Sequence, residues 1–228
     1  MNFISHFYLD REIKDGLFFI GLSAPDLLPI YNRSIRLRLS VLPPLPPDAT
    51  PTMQSFHAGV LRHFQGDQVF HDSPLFKTET ARIGGYLREV LRPEELKRSF
   101  FLAHILFELA LDKHLIGADE TLIPEFYAYW EQCPIDEMQA LCEWAARTPL
   151  PGFGTFIERF IRRRYLARYT DWQHIIHVLR SVLEGVGLRD LDYLHTPRFL
   201  RMAEQYEREL ATHCHASLTT IAQALPPR

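Results

Sequence analysis

The stretch FFLAHILFELALD, residues 100–112, is apolar at nearly every position and yet carries His104, Glu108 and Asp112. Their i, i+4, i+8 spacing stacks side chains along one face of an α-helix, about one turn and roughly 6 Å apart. Unpaired His and Glu in such a run are expensive to bury, so this polar column calls for partners. A second stretch, RHFQGDQVFH at 62–71, repeats the interval with His63, Asp67 and His71. Two helices projecting these columns toward each other would bring six metal-capable groups to one cleft.

Working outward, apolar residues recur at three- and four-residue intervals along almost the whole chain, and sustained period-2 alternation is missing, which predicts an all-α protein. Helices are expected at about 54–71, 74–90, 93–115, 120–131, 134–147, 153–166, 169–186 and 197–223. Thr121 with Pro124, and Pro134 followed by Asp136 and Glu137, place proline and negative charge in first turns, where missing N–H bonds and the helix dipole favour them. Gly84 and Gly85 fall inside the second of these helices, where each glycine costs about 1 kcal/mol against alanine. The segment VLPPLPPDATP at 41–51 holds five prolines and cannot continue a helix, so it reads as an extended surface loop within one domain.

At 228 residues, 46% hydrophobic and 23% charged, the chain can bury a substantial core, and a single domain over 1–228 is the expectation. Cys133, Cys142 and Cys214 form no CxxC and leave an odd residue over, which argues against a disulfide framework or a thiolate zinc site and fits a reducing cytosol. The opening MNFISHFYLDREIKDG lacks a basic leader and is interrupted by charge from Asp10 on, and no later run approaches the 18 or so apolar residues of a membrane span. These features predict a soluble, cytoplasmic protein without a membrane partner. A net charge of −3 does not suit bulk nucleic-acid binding, which calls for a basic domain.

Two further residues could complete a site. His6 lies on the first segment, and Asp26 follows Pro25 in FIGLSAPDLLP, where a helix would end or restart and a carboxylate could point into a cleft. Gly66, one residue before Asp67, gives up helix stability, and close approach by another backbone or a ligand would account for it.

Together these residues resemble the acyl carrier protein phosphodiesterases, or acyl carrier protein hydrolases, relatives of the HD-domain metal phosphohydrolases. MNFISHFYLD is similar to that family's MNFLAH-type start, with His6 on its early histidine. Asp26 falls on the aspartate of its glycine- and leucine-rich segment. HAGVLRHFQGDQVFHDSP resembles its G-I-x-x-H-R-x-I-D-x-x-T-D pattern, with Gly59, His63 and Asp67 on the glycine, histidine and first aspartate. RYLARYTDWQHIIHVLRSVLEGVG is similar to its L-x-x-Y segment and following helix. The chain departs from the pattern at Phe64, where the family has Arg, at Phe70-His71 in place of Thr-Asp, and at His104 and Glu108, where a D-x-x-x-D pair is common.

The resemblance implies a single-domain, HD-like helical bundle that hydrolyses the phosphodiester joining 4′-phosphopantetheine to a serine of acyl carrier protein. It implies a divalent metal, Mn2+; the additional histidines leave Fe or Zn open as alternatives. The ligand candidates are His6, Asp26, His63, Asp67, His71, His104, Glu108 and Asp112, and Asp26, His63 and Asp67 would carry the catalysis. Some of the acids could instead orient histidine ligands. An acidic carrier calls for a basic partner surface, offered by Arg162, Arg163, Arg164 and Arg168, or by Arg33, Arg36 and Arg38.

Plainer readings stand beside these. The first column could be a polar surface face, His104 and Glu108 a satisfied buried pair, Asp26 a helix cap, and the arginines a solvated face. His57 falls off the site's face, His114 suits a helix C-terminus, and the pairs His174/His177 and His213/His215 lack acids at ligand intervals. Other function classes compatible with the residues are hydrolysis of a nucleotide or small phosphoester, di-iron oxidation, and non-catalytic binding on a helical scaffold.

Overall fold

The computed structural model describes residues 1–96 and 98–227. Among them the regular structure is entirely helical: α1 (Phe3–Leu9), α2 (Gly16–Tyr31), α3 (Pro51–Asp72), α4 (Pro74–Val90), α5 (Ser99–Ala118), α6 (Leu122–Gln132), α7 (Ile135–Ala146), α8 (Phe153–Arg163), α9 (Trp172–Gly185), α10 (Pro197–Leu210) and α11 (Cys214–Ala224). Short 3-10 turns cover Leu39–Val41, Pro93–Leu96, Tyr165–Thr170 and Asp192–His195. Among the described residues no helix is long and apolar enough to cross a membrane, and the three cysteines are free.

Where composition suggests one domain, the helices gather into two compact units. The first comprises Met1–Ser5, Gln68–Asp119 and Ala167–Arg228, and the second His6–Asp67 and Glu120–Leu166. Neither is a continuous stretch of chain, so no linker or change of composition marks a boundary. In the first unit α4 packs along α5, and α9 and α10 also pack on α5. Phe70 stacks on Phe107 at 5.4 Å between ring centroids, with Phe76 edge-on to Phe70. In the second unit α6 and α7 pack on α2, and α8 closes against α6 and α7. Phe7, Phe19 and Phe126 form its aromatic centre, extended by Trp130 and Phe160.

Local chemistry explains most helix ends. Ser73 caps α4 by accepting from the Phe76 N–H, with Pro74 in the first turn. Thr196 does the same for α10 through the Phe199 N–H, ahead of Pro197, and Asp171 caps α9 through the Gln173 N–H. In each case a side-chain oxygen satisfies an N–H that the helix cannot.

The structure departs from the sequence pattern in three places. Pro25 and Pro29 do not end a helix but lie within α2. The proline cost of about 3 kcal/mol each is met by burial, since Phe18–Pro25, Leu27 and Leu28 are all buried. The helix expected from 93 to 115 begins with a separate 3-10 turn, and α5 starts only after Arg98 in the left-handed region at φ 59°. The long helix expected at 197–223 breaks into α10 and α11. At the break, Thr212 Oγ1 donates to the Glu209 carbonyl at 2.7 Å, a local bond that competes with helix continuation.

In the second unit the backbones of α2 and α3 touch at Gly21 and Gly59. A Cβ on Gly59 would sit 2.0 Å from the Phe18 carbonyl oxygen, and one on Gly21 would sit 2.0 Å from that of Phe56. The sequence points to Gly66 for such an approach; the structure shows one at Gly59, two turns earlier on the same helix. Gly84 is different, because an added Cβ would meet only the far end of Arg88, 3.6 Å away.

Gly59→Ala should therefore lower the unfolding free energy by about 1–3 kcal/mol or more, because neither backbone can yield. Gly84→Ala should raise it by about 0.5–1 kcal/mol. Urea unfolding with an unchanged m-value checks both.

Candidate metal centres

His63 is almost fully buried on α3, and its Nδ1 lies 2.9 Å from the Leu22 carbonyl of α2. A carbonyl only accepts, so Nδ1 carries the proton and Nε2 of the neutral ring presents a lone pair. That lone pair faces Asp67 Oδ2 at 3.6 Å and Asp26 Oδ1 at 4.0 Å. His6 of α1 stacks on the His63 ring at 4.2 Å between centroids, and its Nε2 lies 3.2 Å from Asp67 Oδ1. Burial, reinforced by the charge of His6, pushes His63 down to about 3. Although burial alone would raise it, Asp67 is held well below the usual carboxylate range by surrounding positive charge and by its hydrogen bond with His6. A neutral imidazole lone pair facing carboxylates is a repulsive arrangement that a cation between them would satisfy.

The ligand atoms of His6, His63 and Asp67 all lie within 4.8 Å of one another. This two-imidazole, one-carboxylate set, with Asp26 at its edge, has the chemistry of a site for Mn, Fe or Zn. The bond that His63 Nδ1 donates to the Leu22 carbonyl is the kind of outer contact that orients a ligand histidine. Asp26 is an interior residue of α2, so it does not cap a helix.

A second group lies in the first unit. His71 Nε2 is 3.1 Å from His104 Nε2 and 3.3 Å from Glu108 Oε1, and His104 Nε2 is 2.9 Å from the same oxygen. The Met1 amino group also donates to Glu108 Oε1 at 2.9 Å. Burial would raise Glu108, but the Met1 ammonium and the two histidines outweigh it and hold the carboxyl well below its ordinary range. Phe76 packs edge-on against both imidazoles. These three residues are again a possible metal-holding set.

Rather than one set of six, the fold thus assembles two groups of three, each within its own unit. Asp112 joins neither group. Its two oxygens accept the backbone N–H groups of Ile4 at 3.0 Å and Ser5 at 2.8 Å, which ties the first turn of α1 to α5. Full burial raises this carboxyl to about 6 in spite of those donors.

Arg162, Arg163 and Arg164 are exposed at the end of α8, where cations also complement the helix dipole. Arg164 pairs with Glu131 at 2.8 Å and lies over the Tyr127 ring. Arg168 is exposed on the 3-10 turn at Tyr165–Thr170, and Arg33, Arg36 and Arg38 are exposed before and beside the first 3-10 turn.

One polar feature beside the histidines escaped the sequence reading. Arg62, adjacent to His63, makes a buried ion pair with Asp10 through Nε at 2.8 and 3.1 Å. A signal was present, because Asp10 follows His6 by four residues in an otherwise apolar segment. Compared with known proteins, the chain matches no family model, no curated protein and no solved structure.

Because Asp112 keeps its proton in the folded protein to a higher pH than in the unfolded chain, ionising it costs stability. Its contribution should be unimpaired below about pH 4, fall as pH rises toward 6, and stay level above, by about 3 kcal/mol at most. Urea unfolding across that window should show the slope in the unmodified chain and its loss in Asp112→Asn.

Proposed function

We propose that the protein is a metal-dependent phosphodiesterase that removes 4′-phosphopantetheine from holo acyl carrier protein, on an HD-like helical scaffold acting in the cytoplasm. One observation carries the reading: His6, Asp26, His63 and Asp67, aligned one by one with the family pattern, are drawn from three helices into a single group. A polar face selected only for solubility would have no reason to converge in this way.

His6, His63 and Asp67 would hold the ion, and when bound it would neutralise phosphate charge and lower the pKa of a coordinated water toward neutrality. His63 is fixed in the tautomer that presents Nε2, because its Nδ1 proton is committed to Leu22. Asp67 supplies a permanent negative charge. Asp26 Oδ1, at the edge of the group, would accept the proton of the attacking water. The donor set of His71, His104 and Glu108, again two imidazoles and one carboxylate, supports a second ion of the same kind. It also favours a related reading, hydrolysis of a small phosphoester, in which no carrier protein is required.

The exposed arginines of α8 would steer an acidic carrier, an effect read in association rate and salt dependence more than in chemistry. Arg162 and Arg163 are the better candidates for this, since Arg164 is already engaged by Glu131.

The test is to incubate the metal-loaded protein with holo acyl carrier protein and weigh the carrier by intact mass spectrometry. The phosphopantetheine mass should be lost, and Asp67→Ala should slow that loss by at least about 100-fold. An Arg162→Ala/Arg163→Ala double variant should lower turnover of the carrier at low salt and leave cleavage of a small phosphodiester unchanged. An unaltered carrier, with metal demonstrably bound, would overturn the proposal; cleavage of the small ester alone would replace it with the second reading.

A further inference from the structure

A third set of ligand-type side chains lies in the first unit, at residues the sequence offered no reason to join. His114 stands toward the end of α5, and Cys214 and His215 open α11, exactly one hundred positions further along at Cys214. Their ligand atoms lie within 4.8 Å of one another, and the His114 and His215 rings meet edge to face at 5.3 Å between centroids.

The three differ usefully in exposure. Cys214 is fully buried, His114 is half-buried and His215 is exposed. His114 Nε2 is itself buried and makes no hydrogen bond among the described residues, an unfavourable situation that a ligand at that nitrogen would relieve. With His215 on the solvent side, an ion would have a path in and water for a fourth position.

We propose that His114, Cys214 and His215 form a binding site for a borderline-soft divalent ion of the zinc type, tying α11 to α5. The donor set decides the class of ion. A cysteine sulfur with two imidazoles selects Zn2+ or Co2+ and disfavours Mg2+ and Mn2+, which seek oxygen. A tetrahedral ion with Zn–N of about 2.0 Å and Zn–S of about 2.3 Å needs ligand atoms about 3.3–3.6 Å apart, so from within 4.8 Å the side chains need move by at most on the order of 1 Å. On binding, the sulfur–metal bond replaces the S–H bond of Cys214 and the proton goes to solvent. The site is independent of the hydrolase reading, since it shares no residue with either group described above.

Cobalt gives a readout that only a cysteine-bearing site produces. The metal-stripped full chain is titrated with Co2+ and the near-ultraviolet thiolate-to-cobalt charge-transfer absorption is followed. That band should appear, be displaced by Zn2+, and be absent in Cys214→Ser. His215→Ala, at an exposed position where folding is not at stake, should weaken the band-forming affinity at least tenfold. Absence of the band at saturating Co2+ would overturn the proposal. So would a band unchanged in His215→Ala or persisting in Cys214→Ser, because it would then report Cys133 or Cys142, which belong to the second unit.

Discussion

The backbones of α2 and α3 run in contact at Gly21 and Gly59, where any side chain would strike a carbonyl oxygen, and the first candidate centre depends on that contact. One turn beyond Gly59, His63 reaches across to the Leu22 carbonyl, the residue after Gly21. One turn beyond Leu22, Asp26 comes to the edge of the same imidazole, and one turn beyond His63, Asp67 faces it. A wider spacing between the helices would leave His63 without its carbonyl partner and its tautomer undefined. The glycines lower intrinsic helix stability, and what they allow is a histidine whose orientation is set by backbone rather than by another mobile side chain.

Burial governs the electrostatics within each unit. Apolar helices such as α2 and α5 leave few polar atoms, so each buried charge is answered by a particular partner: Asp10 by Arg62, Asp112 by the first turn of α1, Glu108 by the Met1 amino group and two imidazoles. Asp112 shows the limit of such compensation, since two backbone donors do not offset complete burial and its carboxyl remains raised. Asp67, less deeply buried and hydrogen-bonded by His6, is shifted the other way. Carboxylates on two different helices thus acquire opposite properties from their surroundings, and only Asp67 faces imidazoles, since both Asp112 oxygens are taken by backbone N–H groups.

The i, i+4, i+8 columns were visible in the chain, and their members do converge, but with different companions. His63 and Asp67 are joined by His6, His71 is joined by His104 and Glu108, and Asp112 is occupied elsewhere. Periodicity can say which side chains share a helix face; it cannot say which element covers that face, because the covering contacts run between residues tens of positions apart. The histidine at 114 is the clearest instance, since its neighbours Cys214 and His215 carry no spacing signal at all.

The all-helical class, most helix positions and the polar residues worth attention follow from the sequence alone, because periodicity, capping and proline chemistry act over a few residues. Tertiary structure alone decided that α2 continues through Pro25 and Pro29, that the C-terminal helix divides at Thr212, and that the helices form two units from interleaved segments. It also decided which ligands meet. These outcomes rest on burial and on the approach of distant backbones, and such contacts are energetically large enough to override local preference while leaving no local trace in the order of residues.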